Sequence, residues 1–249
     1  MAIEAARAKL PEILALRPLH LQEMAAQVRY DAVHERGWSD SYLLRTGSVT
    51  AGYGAVKGRE REGRDTIFEF CITPPFRAFA QDAFEALVAA SGATFVEAQT
   101  NDPSLAPLFE ERCRDTKVTS ILFADHAAPG LMGRGATVRP RTADDVVFEH
   151  TAEPVGDLVL VEGGTVVATG GFLTHYNFPF ADVHMEVRED RRRRGLGSFL
   201  VQEVKKACYL AGRIPAARCG PANEASKSTL LRAGFRVAGQ LKLGSLSIA

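Results

Sequence analysis

Two halves of the chain carry the same succession of sequence patterns. The stretch YLLRTGSVTAGYGAV from Tyr42 aligns with LVLVEGGTVVATGGFL from Leu158, and both predict a β-hairpin with a glycine turn. Further along, TIFEFCI and DVHMEV each precede a predicted helix, and NDPSLAPLFEERC aligns with NEASKSTLLRAGF. Three matches in the same order indicate an internal duplication. We therefore predict two related domains, 1–130 and 131–249, that meet in the glycine-rich segment 125–136.

Charge and composition argue against several classes of partner. The 249 residues include 30 Lys and Arg and 30 Asp and Glu, so the chain lacks the positive surplus of a sequence-independent nucleic-acid binder. No apolar run approaches the ~18 residues that cross a bilayer, and Glu4 and Glu12 interrupt the first segment where a signal peptide would be apolar. We expect a cytoplasmic protein with no nucleic-acid partner and no membrane partner.

Cysteine and histidine spacing predicts no metal. The four cysteines are far apart and form no C-x-x-C pair, and no two of the six histidines stand four residues apart. We therefore expect reduced thiols and neither a zinc site nor a disulfide framework.

Hydrophobic periodicity predicts a mixed α/β second half. Strands are expected at 136–141, 157–162, 165–173, 182–187, 214–219 and 236–243, and helices at 195–211 and 223–233. The first half is expected to open with helical stretches at 3–16 and 20–36, with no strand before them, and to contain a helix at 76–91.

The stretch RRRRGLGSFLVQEVKKA, 191–207, places a Gly-x-Gly between a predicted strand and a predicted helix. Backbone N–H groups converge on an anion at such a helix start, and Gly195 and Gly197 let the main chain approach a phosphate. The alternative interpretation is a tight strand-to-helix turn without a ligand. At the next helix, Asn223 is a plausible N-cap.

These residues resemble the GNAT superfamily, the Gcn5-related N-acetyltransferases. The family's cofactor motif appears as Arg192 to Gly197 after MEV, and the second part of its signature as Asn223, Ser226 and Gly234-Phe235. The resemblance covers 136–243, and ATVRPRTADD is similar to the family's first strand. It implies an α/β (α+β) fold with two GNAT-like domains, each a mixed, mostly antiparallel central sheet flanked by helices.

The resemblance also implies a function. It predicts an N-acetyltransferase that uses acetyl-CoA as cosubstrate and acts on a primary amine of a small molecule or peptide. The loop would hold the pyrophosphate of coenzyme A, and the pantetheine arm would pair with the strand ending at Val187. The implied cofactor-binding residues are Met185, Val187, Arg192, Arg193, Arg194, Gly195, Leu196, Gly197, Ser198, Asn223 and Ser226.

The first half resembles the same fold without the anion site. Where the loop should stand it reads TPPFRAFAQDAF, in which Pro74 and Pro75 lack N–H donors and Asp82 would repel a phosphate. We expect this domain to serve as a scaffold or to face the acceptor, and the whole chain to bind one cofactor.

The catalytic groups are less obvious. The family's usual positions for a general base or acid fall on Ala181 or Val183, Arg218 and Leu230, none of which suits the role. Glu186 and His184 are the nearest ionisable candidates, although strict alternation places both on the face opposite Val187. A β-bulge could turn one of them inward. By resemblance, backbone N–H groups of 185–187 would stabilise the oxyanion.

The acceptor site is also incomplete in the sequence. Between Arg141 and Asp157 there is no room for the two helices with which the family usually holds its acceptor. The first half could supply that wall, with Tyr176, Phe178 and Phe180 on a mobile rim or in ordinary packing between domains. Three functions remain: an N-acyltransferase, a coenzyme A-binding regulatory module without turnover, and a nucleic-acid binder.

Overall fold

The chain forms two compact units in the computed structural model, which describes residues 2–24, 27–28, 30–58 and 63–247. The first unit comprises Met1–Ser120 together with Gly239–Ala249, and the second comprises Ile121–Ala238. The predicted boundary at residue 130 lies ten residues after the division between Ser120 and Ile121, and residues 239–249, predicted to belong to the second domain, are part of the first unit. The last strand begins in the second unit and ends in the first, so the units are not two consecutive pieces of chain.

The first unit is a mostly antiparallel sheet with helices. Its strands are β1 Glu4–Ala8, β2 Ser39–Thr46, β3 Val49–Lys57, β4 Thr66–Ile72 and β5 Phe95–Gln99. Its helices are α1 Leu10–Ile13, α2 Arg17–Met24, α3 Tyr30–Glu35, α4 Ala80–Ser91 and α5 Leu105–Arg112. Strands β1 to β4 pair antiparallel in order, and β5 pairs parallel with β4.

Two strands run through the boundary between the units. They are β6 Cys113–Asp125 and β12 Phe235–Leu246. The end of β12 pairs antiparallel with β5, from Leu241 opposite Gln99 to Ser245 opposite Phe95. The end of β12, residues 239–246, therefore completes the sheet of the first unit.

Two expectations for the first half are wrong. Residues 4–8 form a strand, paired with β2 from Glu4 opposite Arg45 to Ala8 opposite Ser41, instead of the start of a helix. The sequence EAARA favours a helix by propensity, but pairing with β2 overrides it. The second predicted helix, 20–36, is divided into α2 and α3, and its residues 25, 26 and 29 lie outside the described residues.

The second unit repeats the order of elements. Its strands are β7 Thr137–Pro140, β8 Leu158–Glu162, β9 Thr165–Leu173, β10 Phe180–Val187 and β11 Ile214–Cys219, and its helices are α6 Leu196–Leu210 and α7 Glu224–Arg232. Strands β7 to β10 pair antiparallel, β11 pairs parallel with β10, and β6 pairs antiparallel with β11. The elements predicted for this half are confirmed within a few residues, as is the mixed, mostly antiparallel fold class.

Local chemistry explains the elements of the second unit. Strands β8 and β9 are joined by Gly163 and Gly164, which have φ of +57° and +76° and so suit a tight hairpin turn. Helix α6 places Leu200, Val204 and Cys208 in the buried core against the sheet. Burial of each such side chain contributes about 1.5–3 kcal/mol. Among the described residues, no helix combines the length and apolar character that a membrane crossing needs.

Gly234 joins helix α7 to the start of β12 at a very close approach of two backbones. Its φ is +87°, and a Cβ atom placed there would lie 2.0 Å from the carbonyl oxygen of Ala127. The Gly234 carbonyl accepts hydrogen bonds from the N–H groups of His126 and Ala127 at 3.1 and 2.9 Å. Buried Lys205 binds the carbonyls of Ala127 and Ala233 from the other side. The Gly-Phe pair of the sequence motif is therefore a structural junction.

We expect Gly234→Ala to destabilise the second unit more than Gly212→Ala does. Both positions have positive φ, which costs a side chain roughly 1–2 kcal/mol, but Gly212 has open space around it, with φ +69° and no atom within 4 Å. The clash at Gly234 should cost a further ~1–3 kcal/mol of unfolding free energy. Urea denaturation of the two variants measures the difference, and equal losses would contradict the close approach.

Candidate functional site

Strands β10 and β11 form an open cleft because they pair only briefly. Their parallel pairing begins at Phe180 opposite Ile214 and ends at Asp182 opposite Ala216, although β10 continues to Val187 and β11 to Cys219. From Val183 onward, the edge of β10 that faces β11 has no strand partner. A parting of two parallel strands leaves backbone groups available for a ligand.

The backbone direction of β10 can be deduced from its other edge. Arg188 N–H donates to Val167 O at 2.9 Å, and β9 and β10 pair in regular register below that point. Hydrogen-bonded pairs alternate with non-hydrogen-bonded pairs in an antiparallel ladder. Met185 and Val187 therefore direct their N–H and C=O groups away from β9, toward the open edge. The Val187 carbonyl accepts a hydrogen bond from Arg192 Nε at 3.0 Å.

Helix α6 begins next to this open edge. Gly195 is its N-cap residue with φ +81°, and Arg193 also has positive φ, at +60°. The first N–H groups of an α-helix lack intrahelical acceptors, which here are those of Leu196, Gly197 and Ser198. They form the start of a 15-residue helix, whose dipole adds a partial positive charge at that end.

Gly197 brings α6 close to its neighbours. A Cβ atom at this position would lie 3.2 and 3.3 Å from Cε and Sδ of Met185, and 3.3 Å from Cγ2 of Thr229. The absence of a side chain therefore lets the helix start lie directly on β10 and α7.

The arginines of the loop differ in what they contact. Arg191 and Arg194 both pair with Glu162, at 3.1 Å and 2.8 Å, so much of their charge is compensated. Arg193 is exposed and has no hydrogen bond or ion pair with any described residue. Arg232, at the end of α7, has its guanidinium 3.6 Å from the Cβ position of Gly195. Arg193 and Arg232 are thus the cations best placed for an anion, and Arg232 was not among the site residues predicted from the sequence.

Asn223 and Ser226 begin helix α7. The Asn223 side-chain oxygen accepts from Ser226 N–H at 3.0 Å, which is the N-cap expected from the sequence. Neither residue is shown to contact a cofactor, and that role stays a prediction. Burial raises the pKa of neighbouring Cys219, and a hydrogen bond with Ser226 only partly offsets it, so this thiol is not an activated nucleophile.

Glu186 is a poor candidate for the general base. The pairing of β9 and β10 has no register shift from Asp182 to Val187, so the bulge that could turn Glu186 inward is absent from this stretch. Its carboxylate accepts from the N–H groups of Thr151, Ala152 and Glu153 at 3.0–3.2 Å, and from the Thr151 hydroxyl at 3.1 Å. The carboxylate therefore fastens segment 151–153 to the sheet.

The pKa of Glu186 reflects these contacts. Burial alone would raise it, but the hydrogen bonds from Glu153, Thr151 and Ala152 outweigh burial and lower the pKa to about 2. A carboxylate this acidic has little tendency to take a proton near neutral pH. These contacts favour a structural role for Glu186, and its catalytic role stays a prediction.

His184 lies on the same face of β10 but in a different state. It is buried, and its Nδ1 has no hydrogen-bond partner among the described residues. Gly171 on β9 makes room for the ring, because a Cβ there would lie 3.2 Å from His184 Nε2. Burial, the largest influence, lowers the pKa of His184 below its ordinary 6.5. The imidazole is neutral at physiological pH and can accept a proton.

The segment between β7 and β8 covers this face of the sheet. It contains no helix, as its length predicted, and His150 within it stacks on Phe148 at 4.7 Å and lies 3.2 Å from the Thr169 hydroxyl.

In the proposed rim, Tyr176 is buried, whereas Phe178 is 67% exposed with the Arg213 guanidinium 5.0 Å from its ring centre. The other usual base and acid positions are no better, since Ala181, Val183 and Leu230 are buried in the apolar core.

Known proteins share this architecture. Residues 160–242 match the family model of FR47-like proteins. A GNAT-family acetyltransferase from Colwellia psychrerythraea superposes with a TM-score of 0.75 at 12% identity, covering 99% of this chain and 100% of its own. The fold is that of the GNAT acetyltransferases. This confirms the resemblance inferred from the sequence.

Two further structures have the GNAT fold over nearly the full length. A Gcn5-related N-acetyltransferase from Sphaerobacter thermophilus has a TM-score of 0.58 at 16% identity, with 99% of this chain and 96% of that chain covered. A tandem GNAT protein from the clavulanic acid biosynthesis pathway has a TM-score of 0.56 at 13% identity, with 99% of each chain covered. No curated protein is significantly similar in sequence.

The hydrogen bonds of Glu186 predict a specific acid sensitivity. Its pKa is about 2 in the folded protein against an ordinary 4.5, so its stabilising effect is fully present above about pH 4.5 and is lost as the pH falls toward 2. The effect is on the order of 2–4 kcal/mol of unfolding free energy. Urea denaturation from pH 6 to pH 2 should show this loss in the native protein.

Glu186→Gln should be less stable at pH 6 and should lack that part of the pH dependence. Glu189→Gln is the control, because Glu189 is exposed and forms no ion pair with a described residue. If Glu186→Gln and Glu189→Gln gave the same pH dependence, the structural role of Glu186 would be refuted.

Proposed function

We propose that this protein is an N-acyltransferase that uses acetyl-CoA to acetylate a primary amine of a small-molecule or peptide acceptor, with the reaction in the second unit. The observation that carries the proposal is the start of α6. Its free N–H groups, Arg193 and Arg232 lie beside the β10 edge that has no strand partner. The second candidate is a coenzyme A-binding regulatory module without turnover.

Coenzyme A suits the residues present. The pyrophosphate would be held by the first N–H groups of α6, with Arg193 and Arg232 supplying positive charge. Gly197 supports this assignment indirectly, because the lack of a side chain lets the start of α6 lie against Met185 of the open strand and Thr229 of α7. The amides of the pantetheine arm match the outward N–H and C=O groups of Met185 and Val187. Arg192, Arg194, Leu196, Ser198, Asn223 and Ser226 remain predicted contacts.

The cosubstrate supplies an acetyl group activated as a thioester. This chain must then provide a neutral amine and donors for the developing oxyanion. Amines such as that of lysine have a pKa of about 10.4, so most are protonated at neutral pH and need a proton acceptor. His184 is the better supported acceptor, because it is neutral and its Nδ1 has no partner among the described residues, although without a bulge it stays, like Glu186, on the face opposite Val187. Outward N–H groups of Met185 and Val187 would stabilise the oxyanion.

The first unit lacks the features that support anion binding in the second. A 3₁₀ turn, Pro74–Phe79, occupies the place of the glycine loop, and α4 begins after Phe79 without a positive φ. Asp82 lies in the first turn of that helix. A carboxylate and two residues without N–H donors disfavour pyrophosphate, which supports one cofactor for each chain.

We expect Gly197→Glu to abolish the increase in melting temperature that acetyl-CoA produces in the unmodified protein. A ligand that binds only the folded state stabilises it by about 2.7 kcal/mol at a hundredfold excess over Kd. The variant adds a bulky anion at the helix start. Ala211→Glu is the matched control, since Ala211 is exposed at the other end of the same helix. A full shift in Gly197→Glu would overturn the site.

We expect His184→Gln to lower kcat by about 10²–10⁴ with little change in the KM for acetyl-CoA. The native rate should fall as the pH drops through the pKa of His184, which lies below 6.5, because the protonated ring cannot accept a proton. Thiol release is measured with polyamines, amino acids, aminoglycosides and lysine peptides, and exposed His126 is changed to Gln as a control. Retained acetyl-CoA binding without turnover on any amine would favour the regulatory module.

A further inference from the structure

The first unit contains its own pair of parting parallel strands. Strands β4 and β5 pair only at Thr66 opposite Phe95 and Ile67 opposite Val96, and then diverge. On β5, Val96 and Ala98 belong to the apolar core of this unit. By alternation, Glu97 and Gln99 point to the opposite face of the sheet. That face is polar although it is deeply buried.

One part of this polar face is fully satisfied. Glu69 on β4 is completely buried and accepts hydrogen bonds from Arg17 at 2.9 and 3.2 Å and from Tyr53 at 3.0 Å, and it lies 3.1 Å from His34 Nε2. Glu97 is likewise paired, with Lys57 at 2.8 Å. The carboxylates of Glu69 on β4 and Glu97 on β5 are therefore each paired with a cationic side chain of the protein itself.

The first unit also contains buried polar groups that are not satisfied. Five side chains that are 98–100% buried carry polar atoms without a hydrogen-bond partner among the described residues. They are His20 (Nε2), Gln27 (Oε1), Tyr30 (Oη), Gln99 (Oε1 and Nε2) and Asp102 (Oδ2). Folded proteins pair nearly all buried polar groups, and each exception calls for an explanation. We call these five residues the polar cluster.

The members of the polar cluster act on one another. Burial raises the pKa of Tyr30, and Glu97 and Asp102 add smaller increases. The Gln99 side chain lies close enough to lower it again, but Tyr30 and Gln99 form no hydrogen bond of normal geometry. His20 in turn influences Asp102 and packs edge-on against Tyr53, with ring centres 5.9 Å apart. Tyr30, Gln99, Asp102 and His20 therefore lie in one region of the first unit.

Asp102 gives this region a charge and also borders an open pocket. The pocket has about 410 Å³, which suits a small organic molecule, and is lined by Asp102, Asn101, Pro103 and Glu110 among others, whereas the other four members of the polar cluster do not line it. Asp102 Oδ1 caps α5 by accepting from the N–H groups of Ser104 and Leu105, while Oδ2 has no partner among the described residues. Unlike Glu69 and Glu97, Asp102 forms no ion pair with a described residue, and burial raises its pKa.

We propose that the first unit binds a small organic cation with a primary ammonium group, which Asp102 and the polar cluster recognise. Two of the unpartnered atoms of this region, Gln99 Oε1 and Asp102 Oδ2, are oxygens that can accept hydrogen bonds, and an ammonium offers donors to both. Tyr30 and the Gln99 amide nitrogen can donate to a hydroxyl or second polar group of the same ligand. The site has no glycine loop, so it is distinct in chemistry from the cofactor site.

Titration calorimetry and melting temperatures of the full chain, without acetyl-CoA, test the proposal. The probes are ethanolamine, propylamine and putrescine, compared with neutral ethylene glycol and anionic glycolate. We expect at least one ammonium probe to bind near one per chain and at least tenfold more tightly than ethylene glycol or glycolate. No binding by any of the three, or equal binding of ethylene glycol, would mean that only solvent fills the cluster.

Two variants localise the binding. Asp102→Asn keeps the capping oxygen but removes the charge, and Gln99→Leu replaces both unpartnered amide atoms at similar volume; each should weaken ammonium binding at least tenfold. Gln81→Leu, on the exposed face of α4, should bind like the native protein. Gly197→Glu changes the cofactor site in the second unit and should retain ammonium binding. A failure of the proposed acyltransferase function can therefore be told apart from a failure of the ammonium site. Unchanged affinity in both cluster variants would overturn the assignment, and Gln99→Leu carries the test if Asp102→Asn does not fold.

Discussion

The early parting of two parallel strands is the constraint on which both candidate sites depend. A β-strand edge without a neighbour leaves backbone donors and acceptors that must find other partners. In the second unit, β10 leaves β11 after Asp182, and the exposed edge lies beside the start of α6. In the first unit, β4 leaves β5 after Ile67, and buried polar side chains occupy that region. One topological device therefore produces two different chemical environments.

The difference between the two environments begins with a few residues after the first strand of each pair. In the second unit, Gly195 adopts a positive φ and starts a helix whose first N–H groups are free. At the equivalent place in the first unit, Pro74 and Pro75 start a 3₁₀ turn and supply no donors. The buried carboxylates of the two units also differ in the groups that bind them. Glu186 is bound by backbone N–H groups, whereas Glu69 is bound by a guanidinium, an imidazole and a phenol.

The sequence predicted what local chemistry determines. The second-half elements, the glycine turn before α6 and the Asn223 cap follow from periodicity and residue type within short windows. Strand β1 was missed because its alanines favour a helix, and only the distant partner β2 makes it a strand. Glu186 fastens segment 151–153 through N–H groups that precede it by 33–35 residues in the chain. Sequence spacing does not predict hydrogen bonds over such a separation. Arg232 was missed for the same reason, since only the folded chain brings it to Gly195.

Strand β12 has a consequence for how this chain can be divided. It begins in the second unit and ends beside β5 in the first. A single cut at 130 would carry residues 239–246 away with the second half and strip one edge of β5 from Phe95 to Gln99. Exposed strand edges invite aggregation, so separately expressed halves should be insoluble or should recombine with each other. Neither unit can therefore be removed or exchanged intact by a simple truncation of the gene, because a cut between them leaves the end of β12, which the first unit needs, with the second unit.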